Sequence, residues 1–255
     1  MQKMKNQAVT IIALTTVLSA LVLVSAFGTS LPNNVSVFAT GLNNPRGLKF
    51  GPDGYLYVAE GGIGGSDSTE GCCEQVIPPV GPYTGSITGS RISKINANGV
   101  VTTAVDNLPS SQTSAALGNL KSGAADVAFI GNTLYFLLGG AGCSHGVPQV
   151  PAMPNGIIRV NANGTTDLIA NLSAFLMAFP VAHPDPDDFE PDGTWYSMIA
   201  ARDDGNHLDL YAINPNTQEL DHFSPMTGEI SRVVDFSITY PGGTNWIGPT
   251  AIATK

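Results

Sequence analysis

Five acidic side chains crowd one short stretch of the chain: Asp185, Asp187, Asp188, Glu190 and Asp192, with Pro184, Pro186 and Pro191 among them. Carboxylates two residues apart in a loop can aim several oxygens at one hard cation. Asp185, Asp187, Asp188 and Glu190 are therefore the candidate calcium ligands. The spacing departs from the D-x-D-x-D-G order of an EF-hand, and a solvated, proline-stiffened connector is the competing reading. The cysteines form a second group. Cys72 and Cys73 follow Glu60-Gly61-Gly62, and Cys143 follows Leu138-Gly139-Gly140. A disulfide from Cys143 to one of the vicinal pair is expected, with Cys72 taken as its partner and one thiol left over. No paired C-x-x-C or histidine spacing points to zinc. His145, beside Cys143-Ser144, and His183, before the acidic cluster, can face one cleft. His207 and His222 fall in expected strands and read as structural. There is no G-x-S-x-G, H-E-x-x-H or P-loop, so no catalytic residue is named from motifs.

These residues sit on a repeating frame. ISKINANGVVTTAV (Ile92–Val105) returns as IIRVNANGTTDLIA (Ile157–Ala170) and more loosely as LDHFSPMTGEISRVV (Leu220–Val234). Ile92, Ile157 and Leu220 correspond, as do Val105, Ile169 and Val233, a period of about 65 residues. Each unit reads as four short antiparallel strands. In the first they are Gly47–Phe50, Tyr55–Ala59, Arg91–Ile95 and Val100–Val105, with turns at Gly51-Pro52-Asp53-Gly54 and Asn96-Ala97-Asn98-Gly99. Four-stranded units in series predict an all-β fold, a β-propeller with about three full blades visible, and a piece of a larger ring. The blades are placed at about 43–108, 109–173 and 174–237, with a fourth beginning at 238–255. Val35–Ala39 is expected to be a lone fourth strand that closes the ring. An irregular β-sandwich is the alternative. Three blades alone would leave apolar faces bare, so the natural chain is expected to continue past Lys255, or copies to assemble.

Ahead of the repeats, Lys3 and Lys5 precede the apolar run Ala8–Val24, and Val24-Ser25-Ala26 offers small residues for cleavage. Residues 1–26 read as a signal peptide rather than an anchor, which makes the protein exported, extracellular or periplasmic. The whole chain carries a net charge of −9, and loss of Lys3 and Lys5 takes it to −11. A chain this acidic offers no general attraction to nucleic acid, and no membrane association is expected after cleavage.

The segments Gly41–Gly62, Gly81–Gly99, Pro184–Met198 and Leu210–Ser237 resemble the ScyD/ScyE family, exported bacterial proteins with NHL-like propeller repeats. The NPRGLKFGPDGYLYVAE stretch is also of a type found in lactonases and quinoprotein sugar dehydrogenases. The resemblance implies a propeller, in keeping with six blades, and supplies no catalytic residues.

In a meandering four-stranded unit the turns joining strands 1–2 and 3–4 lie at one end. Here those are short, whereas Gly61–Gly89, Pro109–Gly123, Gly139–Asn155 and Ser173–Gly193 crowd the other end. Binding is expected on that long-loop face, with a small molecule or protein as ligand. The alternative is a metal-dependent lactonase-like or quinoprotein dehydrogenase-like enzyme. Trp195, Tyr196 and Trp246, near first strands, read as core or channel lining.

Overall fold

The computed structural model describes residues 34–148, 153–186, 189–202, 205–238 and 248–253. Trp246, Asp187 and Asp188 lie outside the described residues, as does residues 1–26, the expected signal peptide. Among the described residues no helix is long and apolar enough to cross a membrane.

The fold is nearly all β and consists of three antiparallel sheets in sequence order. The first holds β1 (Pro45–Phe50), β2 (Leu56–Glu60), β3 (Thr84–Ile95), β4 (Val101–Gln112) and the two-residue β5 (Lys121–Ser122). The second holds β6 (Ala124–Ile130), β7 (Thr133–Leu138), β8 (Gly156–Val160) and β9 (Thr166–Asn171). The third holds β10 (Ser197–Arg202), β11 (Leu208–Asn214), β12 (Glu219–Phe223) and β13 (Ile230–Asp235). In each, the spatial order of strands is the sequence order, an antiparallel meander.

Turn chemistry sets these registers. Asn96 accepts from the backbone N–H groups of Asn98 and Val100 through its side-chain oxygen, and Gly99 takes φ +77°. A side chain at Gly99 would be strained there. The second hairpin uses a different Asn of its turn: Asn163, at the third place, accepts from the N–H of Thr165, and Gly164 takes φ +83°.

Two cores hold the sheets together. Tyr57, Ala59, Ile92 and Val105 of the first sheet meet Val127, Phe136, Leu138 and Ile158 of the second. Tyr135, Leu137, Ile157 and Ala170, from the other face of that second sheet, meet Met198, Leu210, Ala212 and Phe223 of the third. The second sheet is thus apolar on both faces, and β8 shows it in consecutive residues: Ile157 faces one way and Ile158 the other. The first strands adjoin, with β6 packed beside both β1 and β10.

That adjacency leaves no room at Gly47. A Cβ there would stand 2.0 Å from Oδ1 of Asp126 and 2.7 Å from its Cα. Gly47→Ala is expected to destabilise the protein by about 1–3 kcal/mol, the usual cost of overpacking. A thermal midpoint no lower than that of the parent would show that β1 and β6 are not in this contact.

Several expectations need correction. Val35–Ala39 forms no strand, and neither do residues 248–253. Stretches read as loops are partly ladder: Thr84–Ser90 extends β3 and pairs with Leu108–Gln112, and Lys121–Ser122 pairs in turn with Ser111–Gln112. Ser173–Gly193 opens with a short helix, α1 (Leu172–Ala178), whose N-cap Asn171 accepts from the N–H of Ala174 at 2.9 Å.

Candidate functional site

The beginnings of the first strands, at the long-loop end, surround a half-open cup of about 360 Å³. Arg46 comes from β1, Lys121 and Ser122 from β5, and Thr194 and Tyr196 from the segment entering β10. Val80, Leu117 and Leu120 form an apolar rim, the last two at the surface. Tyr83 and Glu190 reach it from the long loops.

Arg46 is held in place. Its Nη2 donates to the carbonyl of Lys121 at 2.6 Å and to Ser122 Oγ at 3.4 Å, and its guanidinium lies 5.1 Å from the centre of the Tyr196 ring. Lys121 donates through Nζ to the side-chain oxygen of Gln112. Both cations therefore contact neutral oxygens.

Beneath the cup lies a buried polar network. The Tyr83 hydroxyl donates to Glu190 Oε1 at 2.6 Å, and the Tyr83 ring stands edge-on to His145 at 4.8 Å. His145 is fully buried. Its Nε2 lies 3.0 Å from the carbonyl of Gly193 and 3.5 Å from Glu190 Oε2, and Nδ1 lies 3.2 Å from Ser111 Oγ. A carbonyl only accepts, so the proton belongs on Nε2, and Nδ1 accepts from the serine. Burial lowers the imidazole's pKa from its ordinary value, against the pull of Asp192, so the ring is neutral at pH 7. Asp192 Oδ2 accepts from both the N–H and the hydroxyl of Ser144 at 2.7 Å each. Asn155 closes the network: it accepts from Ala141 N at 2.7 Å and donates to the carbonyl of Gly193 at 2.6 Å. Segments from three loops are thereby fixed under one floor.

A further buried carboxylate ties first strands together. Asp126 Oδ2 accepts from Met198 N at 2.8 Å and Ser197 Oγ at 3.0 Å, linking β6 to β10. Burial raises its pKa above the ordinary carboxylate value despite these bonds.

Of the candidate calcium ligands, only Asp185 and Glu190 lie among the described residues. Glu190 is buried and turned to Tyr83 and His145, Asp192 is occupied by Ser144, and Asp185 is half-buried in the connector. With Asp187 and Asp188 outside the described residues, no group of three His, Cys, Asp or Glu suited to a metal occurs among those described. His145 and His183 do not share a cleft: His145 is buried in the floor, and His183 is exposed, its N–H on Ser237 Oγ at 3.0 Å. His207 precedes β11 rather than lying in it. His222 is within a sheet as expected, its Nε2 2.8 Å from Asp209 Oδ2. Trp195 is fully buried in the second core.

The disulfide joins Cys143 to Cys73, not to Cys72, across 70 residues of sequence. Cys72 sits in a turn, its N–H on the carbonyl of Thr69 at 2.9 Å, and Cys73 follows it. Cys73 turns inward toward the 3₁₀ turn Cys143–His145, and Cys72 is left exposed as a free thiol. Beside the bridge is a second cavity of about 620 Å³, walled mainly by Leu176, Met177, Val181, Phe189 and Pro191.

Arg46, Lys121 and Tyr83 are the cup residues that sequence reasoning passed over. The available signal was positional: Arg46-Gly47 and Lys121-Ser122-Gly123 each place a cation just ahead of a first strand, at the long-loop end.

Neither a protein-family model nor a curated protein matches the chain. Among solved structures, selenomethionine-substituted virginiamycin B lyase from Staphylococcus aureus is similar at 14% identity with a TM-score of 0.35. The match covers 74% of this chain and 40% of that one, so the chain spans less than half the length of that protein. A likeness this distant says nothing about what the chain binds.

Proposed function

We propose that the chain is an exported β-propeller protein of the ScyD/ScyE type that binds a small ligand in the cup at its long-loop end. Three lines support a propeller: successive four-stranded meanders, cores between consecutive sheets, and first strands side by side. The Cys73–Cys143 bridge supports export, since such cross-links persist in oxidising compartments.

One observation carries the binding role. The cup draws polar side chains from the first sheet and from the segment entering the third, and rests on a floor whose hydrogen bonds run through Tyr83, His145, Glu190, Asp192 and Asn155. Fixing several loops under one concavity is what a preorganised ligand seat requires. Tyr196 is the residue to test, because its ring forms one wall against Arg46. Native mass spectrometry of protein purified from its natural source is expected to show a bound small molecule, which Tyr196→Ala should release. A parent protein that carries no adduct and shows no saturable binding of any small molecule would sink this reading. The same spectrum gives the subunit mass, which tests for further blades.

A further inference from the structure

We infer that the cup takes a small organic acid, its oxyanion seated between Arg46 and Lys121 and its body against Leu117 and Leu120; this rests on the cup being the ligand seat.

Cations are scarce in this chain. It has 20 Asp and Glu against 11 Lys and Arg. With carboxylates in such excess, a cation near the surface readily finds one. Arg91 is 2.8 Å from Glu60, Lys94 2.6 Å from Asp53, Arg159 2.8 Å from Asp167 and Arg232 2.5 Å from Glu219. The other four described cations, Arg46, Lys49, Lys121 and Arg202, do not follow that pattern among the described residues, and of these only Arg46 and Lys121 line the cup. Among the described residues neither forms an ion pair, and their hydrogen bonds go to a carbonyl, a hydroxyl and an amide oxygen. Both open on the same cavity. Neutral acceptors hold the two side chains in position without cancelling their charge.

Glu190 is the objection, since a carboxylate in the same cavity repels an anion. Its geometry limits that effect. The residue is only 1% exposed, one oxygen accepts from Tyr83 and the other faces His145, so its carboxylate belongs to the floor. The cations, which are partly exposed, stand at the wall. Arg46 adds direction as well as charge: stacked on Tyr196 and tethered at Nη2, its planar fork is preset for an oxyanion. The apolar rim then selects an acid with a hydrocarbon or ring body over a bare inorganic ion.

The experiment compares matched acids and neutral isosteres by isothermal titration on the full chain at low salt: benzoate with benzamide, and glucuronate with glucose. The acid of at least one pair is expected to bind at least tenfold tighter than its neutral partner. That preference should fall as salt rises and vanish in Lys121→Met. Lys121 is the better variant, because Arg46 also ties β1 to the Lys121 carbonyl and its loss can loosen the fold. An unchanged thermal midpoint shows that Lys121→Met is folded. If acid and neutral bind equally and Tyr196→Ala abolishes both, the cup is a ligand seat but not an acid site, and this inference is overturned alone. An acid preference that survives Lys121→Met places the anion elsewhere and also overturns it. If none of the four compounds binds, this inference is overturned, while a co-purified adduct released by Tyr196→Ala would still leave the cup a ligand seat.

Discussion

Asp221→Asn is expected to raise the thermal midpoint of the protein, and to raise it far more at pH 8 than at pH 5. Asp221 lies on β12 between Glu219 and Phe223, and its alternation with Phe223 turns it toward the second core. It is 2% exposed, and neither carboxyl oxygen has a hydrogen-bond partner among the described residues. Burial, then the charge of Glu219, pushes its pKa up to about 9, while Arg232 pulls weakly the other way. The folded protein therefore keeps this proton well above the pH at which the unfolded chain releases it. Between about pH 4 and pH 9 the folded state binds one more proton than the unfolded state, so stability falls as pH rises through that window. Asparagine is neutral throughout and nearly isosteric. It removes the penalty and leaves Glu219, whose pKa is also raised by burial, on Arg232 at 2.5 Å. The gain is small at pH 5, where the unfolded aspartate has only begun to benefit from ionising. It reaches the order of several kcal/mol at pH 8. Equal midpoint shifts at the two pH values would mean that Asp221 is not buried as a neutral acid.

The second large effect is expected at the cross-link. Replacing both Cys73 and Cys143 by serine should cost about 2–4 kcal/mol, because the bridge closes 70 residues of chain and its loss frees the unfolded ensemble. Cys72→Ser should leave the midpoint where it is. Thiol titration of the unreduced, denatured protein checks the pairing independently: one thiol in the parent, none in Cys72→Ser. A Cys72→Ser protein that shows two thiols would return the bridge to Cys72. The double serine variant should also weaken binding in the cup, since the bridged loop carries Tyr83 to Glu190.

What the sequence revealed and what it hid have physical reasons. The hairpins were legible because Asn96-Ala97-Asn98-Gly99 and its relatives carry their geometry locally, in Asn side chains and a glycine at positive φ. The long-loop ladder was not. Thr84–Ser90 is polar and glycine-rich, and register shifts between Ser86 and Gly89 and between Ser90 and Ile92 break the period-two pattern that marks a strand. The choice between Cys72 and Cys73 depends on which way one side chain turns in a loop, and spacing does not encode that. The acidic run suggested a shared cation, yet Glu190 and Asp192 are drawn inward by Tyr83 and Ser144, residues 107 and 48 positions away. Such distant partners leave no local trace. Asp221, by contrast, could have been noticed. The positions after Ile92 and Ile157 hold Ser93 and Ile158, and an acid at the third place in that series is out of character with its siblings.

The two-residue strand β5 has a meaning for how such repeats can be exchanged. Lys121–Ser122 is hydrogen-bonded to β4 of the first sheet, and Gly123 then leads directly into β6 of the second. Gly123 itself lies so close to its surroundings that a Cβ would stand 2.4 Å from the carbonyl of Gly61 and 2.7 Å from Ser90. The boundary between the first two units is therefore a suture, not a linker. A graft or recombination event that cut there would unpick one sheet to release the other. The first two sheets are therefore expected to travel together in any exchange of repeats.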